Sequence, residues 1–372
     1  MNAARPSVLL LGDTLNLGGT EGQFVEVACG LSRSQWEVHV SCLRAEGPLR
    51  QKLEAAGINA WSCGRGSLKP ARLLPAVAGL ARYLRAHQIR LVHSFDFYSN
   101  ILGILGGRLA RKPVVIASQR DLGDLRPTLD QRVHRLMLRF ADLILVNSDA
   151  VADQVRYRGG ALKERIVVIP NGVDTSRFSP ASAATSRLSG RVTIGTLANL
   201  RWEKGIEDLV RAAALVHERC PEARFLIWGD GPLRSELEGL VQTCGLRGVV
   251  EFRGRTTRPE AALRELDIFV LTSLSEACSN VLLEAMATGL AVVSTRAGGN
   301  PELVEEEITG LLVPPGDSPA LAKALIRLIE EPALAVELGS RALHRIRAEF
   351  GIARMLAGVQ ALYDHALTRG RA

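Results

Sequence analysis

Long apolar runs are missing from this 372-residue chain. No stretch approaches the ~18 consecutive apolar residues of a membrane-spanning helix. The aliphatic segment near the N-terminus, Ser7-Val-Leu-Leu-Leu-Gly12, is far shorter than a signal-peptide core. The expected location is therefore cytoplasmic. Cysteine is sparse: Cys29, Cys42, Cys63, Cys220, Cys244 and Cys278 form no Cys-x-x-Cys pair, so they read as reduced, mostly buried thiols and not as a zinc or redox motif. Aromatic residues make up only 5% and form no aromatic-basic module, which leaves nucleic-acid binding with nothing but net basicity behind it. No collagen-like, mucin-like or repeated segment is present.

What is there has the balance of an ordinary globular protein, with 47% apolar and 23% charged residues. The length exceeds one typical domain and predicts two. The net charge of +7 is unevenly placed: residues 1–180 carry 24 Lys and Arg against 15 Asp and Glu, and the remainder carries 22 against 24. An anionic partner for the first half follows from that asymmetry. However, 40 of the 46 cations are Arg, which equally suits a coding bias.

Short aliphatic runs alternate with helical periodicity. Apolar stretches at 7–13, 36–42, 90–95, 114–118, 143–147 and 166–170 are separated by helices over 21–33, near 48–57 and over 70–87. Strands that are apolar almost throughout, joined by helices, predict a parallel sheet covered on both faces. Residues 179–190 are small, polar and aperiodic, as a linker is. The rhythm then restarts with apolar runs at 192–197, 225–229, 249–252, 268–272, 291–295 and 311–314. Two doubly wound α/β domains are expected, over 1–178 and 191–348. Their ligands should lie beyond the carboxyl ends of the strands.

Three constellations fall at such ends. Asn16-Leu-Gly18-Gly19-Thr-Glu21 joins the first strand to the first helix, where paired glycines admit an anion to a helix N-terminus. A tight turn that needs glycine explains the same residues, and no Gly-x-Gly-x-x-Gly follows the strand. Gly195 to Gly205 delivers Lys204, one of only six lysines, to the start of a helix, where it is placed to neutralise phosphate. Ser273-Leu-Ser-Glu276-Ala-Cys-Ser279-Asn280-Val281-Leu-Leu-Glu284 sets two carboxylates eight residues apart around a capped helix N-terminus. Carboxylates suit sugar and ribose hydroxyls, and N-terminal amides suit phosphate.

These segments, together with Ile169-Pro-Asn171-Gly-Val-Asp174, Trp228-Gly229-Asp-Gly231-Pro232, Phe252-Arg-Gly254 and Gly298-Gly-Asn-Pro-Glu302, resemble in order and spacing the motifs of the retaining glycosyltransferases of family 4. The resemblance covers nearly the whole chain. It implies the GT-B fold, two Rossmann-like domains facing a central cleft, with a nucleoside-diphosphate sugar as co-substrate and retention of anomeric configuration. No cofactor or metal is implied, in keeping with the absence of any Asp-x-Asp pair. The last stretch, 349–372, resembles the helix that crosses back to the first domain.

Carried over residue by residue, the resemblance gives the donor diphosphate to Lys204, the sugar hydroxyls to Glu276, the ribose to Glu284, and a phosphate to the Ser279-Asn280-Val281 helix start. Gly18 and Gly19 approach the donor from the other domain, while Gly229, Gly231, Gly254 and Arg255 lie beside the base. The chain departs from the family at two places. Asn199 stands near where an Arg is common, with Arg201 as the substitute cation, and Phe95 stands where a second histidine is common, leaving the sugar-facing role to His93 or Asp96. Arg120, Asp121 and Asn171 are candidates for acceptor contact.

The expected partners are a nucleotide sugar and a glycan or lipid-linked acceptor, with no nucleic acid. A sugar phosphorylase, a nucleotide-sugar epimerase and a non-catalytic sugar-nucleotide-binding paralogue remain as alternatives. Finally, Arg126, Arg132, Arg135 and Arg139 alternate with Leu129, Val133, Leu136, Met137 and Phe140, the pattern of a helix on an anionic membrane surface and equally of a helix packed on a sheet.

Overall fold

The structure, a computed structural model, describes residues 5–33, 35–64, 70–111, 113–158, 163–180 and 191–369. The chain packs as two compact units, one formed by residues 1–171 and 353–372 and the other by 172–352.

The first unit is a seven-stranded parallel sheet. In chain order it contains β1 (Ser7–Gly12), α1 (Gly19–Ser32), β2 (Glu37–Cys42), α2 (Arg50–Ala55), β3 (Ala60–Ser62), α3 (Pro70–Ala86), β4 (Leu91–Ser94) and α4 (Phe97–Ala110). It continues with β5 (Val114–Gln119), α5 (Thr128–Leu138), β6 (Leu143–Val146), α6 (Asp149–Tyr157) and β7 (Ile166–Val168). The strand order is β3-β2-β1-β4-β5-β6-β7. Val8 to Leu11 are fully buried, as expected where helices cover both faces of a sheet.

The second unit repeats the plan with β8 (Thr193–Leu197), α7 (Ile206–Arg219), β9 (Arg224–Trp228), α8 (Arg234–Thr243), β10 (Val250–Gly254), α9 (Pro259–Arg264), β11 (Ile268–Leu271) and α10 (Asn280–Ala287). Then follow β12 (Ala291–Thr295), α11 (Asn300–Leu303), β13 (Leu311–Val313), α12 (Ser318–Glu330) and α13 (Pro332–Glu349). Its sheet runs β10-β9-β8-β11-β12-β13, again all parallel.

The last helix, α14 (Ile352–Arg369), belongs to the first unit from Ala353 onward. Met355, Val359, Leu362, Tyr363 and Ala366 lie buried along it at helical spacing. The fully buried Tyr363 ring stands edge-on to Trp36 at 5.3 Å.

The units part at Asn171, earlier than the sequence suggests. Residues 172–178, expected with the first domain, pack on the second, because Val173 donates its N–H to the Phe350 carbonyl (2.9 Å) and Val173 and Phe178 sit in that unit's core. Of the expected linker, 181–190 lies outside the described residues.

Candidate active site

In a doubly wound sheet the ligand crevice opens where the strand order reverses. In the second unit that point lies between β8 and β11. After β8 the chain makes a 3-10 turn, Trp202–Lys204, that ends at Gly205. Gly205 has φ 58°, and a side-chain carbon there would come within 2.4 Å of the Thr272 carbonyl, so glycine is required for the loop to lie against the end of β11. The Thr272 hydroxyl donates to the Lys204 carbonyl (2.8 Å), and Leu274 N–H donates to the Glu203 carbonyl (2.8 Å). These bonds tie the two loops together. Lys204 Nζ thereby reaches Glu276 Oε2 at 2.7 Å, a charge-assisted bond between side chains 24% and 15% exposed.

Beyond the pair, α10 begins. Ser279 caps it by accepting the Leu282 N–H (3.4 Å), and the first-turn amides face the same end of the sheet as the ion pair. Glu284 lies one turn into the helix. Burial, opposed by Arg177 and reinforced by Glu260, pushes its carboxyl up to about 7. Arg177 is itself bound to Glu260 at 2.8 Å. On the other flank, Gly229 N–H donates to the Gly254 carbonyl (2.7 Å), so the ends of β9 and β10 are joined. Gly229 has φ 139°, and a side-chain carbon there would fall 1.7 Å from the Ala198 carbonyl. Asn199, Arg201 and Arg255 are exposed at this end, and Gly231 packs on the Leu200 carbonyl.

The corresponding reversal in the first unit lies between β1 and β4. Gly18 caps α1 in extended backbone and is exposed, as is Gly19. The Glu21 carboxylate folds back on this turn and accepts from the Thr14 hydroxyl (3.2 Å). Asp13 Oδ1 accepts the Ser99 N–H (2.8 Å) at the start of α4. Asp96 stands beside it, and burial followed by the charges of Asp13 and Glu21 pushes its carboxyl to about 8. The shift favours the protonated form of this carboxyl, the form that can donate a hydrogen bond.

His93 does not present itself to a substrate. It is fully buried, with Nδ1 at 2.6 Å from the Tyr363 hydroxyl and Nε2 at 2.7 Å from the Ser118 hydroxyl. Burial, with Arg120 adding to it, holds its pKa well below the ordinary value. Phe95 is core, edge-on to Phe24 at 5.1 Å. Arg120 Nη2 donates to Asn171 Oδ1 (2.5 Å) with its guanidinium 5.6 Å above the Phe95 ring, and Asp121 accepts from Arg126 (2.6 Å). The structure thus gathers Lys204, Glu276, Ser279 and Glu284 at the strand reversal of the second unit, and at that of the first it sets Asp96 beside Asp13. Sequence reasoning missed Asp13, whose sole signal is its position directly after β1. Among the described residues, no group of three His, Cys, Asp or Glu is placed to hold a metal ion. No helix among them is long and apolar enough to cross a membrane.

Known proteins agree with this architecture. The sequence profile of "Glycosyl transferases group 1" matches residues 191–331, and that of "Glycosyltransferase Family 4" matches 17–177. The lipopolysaccharide core biosynthesis mannosyltransferase LpcC of Rhizobium leguminosarum bv. viciae is 29% identical over 79% of this chain and 83% of its own. The Escherichia coli strain K12 protein WcaL is 34% identical over 60% of this chain, and the 2-deoxystreptamine glucosyltransferase of Streptomyces kanamyceticus 28% over 64%. The chain spans 56% and 64% of the lengths of those two relatives. Among solved structures, Anabaena Alr3699/HepE in complex with UDP-glucose superposes with a TM-score of 0.85 over 96% of this chain and 99% of its own, at 23% identity. With its two halves matched by the two profiles and its fold shared along nearly its whole length, the chain belongs to the group 1 glycosyltransferases of family 4, built on the GT-B fold.

Proposed function

We propose that the chain transfers a glycosyl unit from a nucleoside-diphosphate sugar to a hydroxyl acceptor, with retention of anomeric configuration and without a metal, in the synthesis of a cell-envelope or extracellular glycan or glycolipid. The observation that carries this reading is the Lys204–Glu276 pair held at the β8/β11 reversal beside the capped start of α10. In the reaction, the bond from the anomeric carbon to the diphosphate breaks. The acceptor oxygen bonds to that carbon on the same face, and its proton passes to a diphosphate oxygen. Lys204 and the α10 amides neutralise the charge that grows on the leaving diphosphate. Glu276, freed from the lysine or sharing it, accepts from sugar hydroxyls, and Glu284 meets the ribose. Asp96, neutral and donating, is the acceptor-side candidate, with His93 as the buried residue that orients the strand end before it.

The relatives' names support the envelope setting, with LpcC named for lipopolysaccharide core. The acceptor we propose is a glycan or a lipid-linked glycan, reached by reversible contact of α5 with an anionic membrane surface. A thermal-shift screen of UDP-, GDP- and ADP-sugars, followed by turnover with the stabilising donor in excess EDTA, tests the reading. A donor that raises the melting temperature and is transferred in EDTA supports it. Activity lost in EDTA and restored by metal overturns the metal-free mechanism. Turnover that needs inorganic phosphate, or none that needs an acceptor, points to a phosphorylase or an epimerase.

A further inference from the structure

Helix α5 has two faces. On one, Gln131, His134, Arg135 and Leu138 recur at helical spacing and turn into a cavity walled by the 119–126 loop and by α6. The cavity holds about 30 Å3, room for roughly two water-sized groups and so for a compact oxyanion and not for a sugar ring. Three guanidinium groups, those of Arg126, Arg135 and Arg158, line it, and among the described residues no carboxylate does.

Their partners leave a surplus of positive charge and of donors. Arg126 shares its charge with Asp121 (2.6 Å) outside the cavity. Arg158 Nη1 donates to the neutral Gln131 Oε1 (3.1 Å). Arg135 Nε is buried with no hydrogen-bond partner. His134 adds to the imbalance. Arg126 Nη1 lies 3.1 Å from its Nδ1 and Asn100 Nδ2 lies 3.1 Å from its Nε2. Both neighbours are donors, whereas a neutral imidazole accepts at one nitrogen only. Burial and the Arg126 charge hold His134 down to about 3, so it is neutral. A buried donor left without an acceptor costs about 1–3 kcal/mol, and converging guanidinium groups repel. An oxyanion relieves both, since it brings acceptors and negative charge alone.

We infer that this cavity binds a phosphate group, and that the group belongs to the glycosyl acceptor. Calling the ligand an acceptor rests on the transfer reading above; the phosphate site does not. Arginine suits the task because its planar fork meets tetrahedral oxyanions with paired hydrogen bonds.

Inorganic phosphate titrated into the full chain at constant ionic strength, against chloride, tests the site by calorimetry. The expected result is saturable binding, weakened at least ~10-fold in Arg135→Gln and in Arg158→Gln, partly retained in Arg135→Lys, and unchanged in Arg132→Gln, whose side chain lies on the other face. Binding must also survive Lys204→Ala, which disables the candidate donor site. Phosphate affinity that is lost in Lys204→Ala but kept in Arg135→Gln, or that matches chloride throughout, overturns the proposal. Two further arms identify the source. Arg135-dependent capture of phosphatidic acid vesicles over phosphatidylglycerol vesicles of equal charge assigns the phosphate to a lipid. Arg135-dependent binding of sn-glycerol 3-phosphate without such capture assigns it to a soluble acceptor. If phosphate binds as expected and no nucleotide sugar is turned over, the transfer reading fails and the site stands.

Discussion

At the scale of single residues, position after a strand was the informative signal. Lys204 and Glu276 were legible because both follow apolar runs in a parallel sheet, and the loops that carry them are tied by one backbone bond, Leu274 to Glu203, and one from the Thr272 hydroxyl to the Lys204 carbonyl. His93 was misread for the opposite reason. What buries it is a tyrosine 270 positions away, and no local pattern reports such a contact. Lys204→Ala and Glu276→Gln are each expected to lower transfer at least ~100-fold in protein that keeps its circular dichroism spectrum, because in the mechanism proposed above each removes a polar contact used as the donor bond breaks. Near-normal rates in folded variants remove both from the machinery.

Glu284 makes a prediction of its own. Its carboxyl, ordinarily near 4.5, sits at about 7 in the folded protein. Between those values the folded state binds more protons than the unfolded one, so its contribution to stability falls as pH rises through that window. The loss reaches up to ~3 kcal/mol. Denaturant unfolding without nucleotide at pH 5 and pH 8 should therefore show Glu284→Gln gaining on the native protein at the higher pH. Parallel pH profiles for the two proteins contradict the assignment.

At the scale of elements, most of both sheets was readable, since a parallel strand covered on two faces is an aliphatic run. The edge strand β3 was not, being three residues long, Ala60-Trp61-Ser62. The arginine-rich helix was half readable. Its existence and two-sidedness followed from periodicity, but the four arginines do not share one polar face: Arg126 and Arg135 line the cavity, and Arg132 and Arg139 are exposed. The exposed face also carries Leu129 at 70%, Leu136 at 50% and, just beyond the helix, Phe140 at 50%. An aliphatic stripe left in water beside arginines is the composition of an interfacial helix. Co-sedimentation with anionic vesicles at low salt is expected to fall at least ~5-fold in Leu129→Ser/Leu136→Ser and, separately, in Arg132→Gln/Arg139→Gln. Equal binding by these variants, or none by the native chain, excludes α5 as the contact.

At the scale of the whole molecule, chain order and packing disagree at the C-terminus. Residues 353–369 follow the second unit in sequence yet complete the core of the first. There Tyr363 is fully buried, with its ring against Trp36 and its hydroxyl on His93 Nδ1, and His93 in turn holds Ser118 at the end of β5. The ends of β4 and β5 are thus braced by the last helix. Tyr363→Phe leaves one buried imidazole nitrogen without its partner, at about 1–3 kcal/mol. Truncation after Ile352 additionally uncovers the apolar stripe of Met355, Val359 and Leu362. Hydrogen exchange distinguishes this role from a general loss of stability. In the truncated chain β1, β4 and β5 should lose amide protection, while β8, β11 and β12 keep theirs and the Lys204–Glu276 site still answers to nucleotide sugar in a thermal shift. If protection falls equally in both sheets, the helix stabilises the molecule as a whole. If it falls in neither, the brace is dispensable, and the burial of Tyr363 has no bearing on the β4 and β5 strand ends.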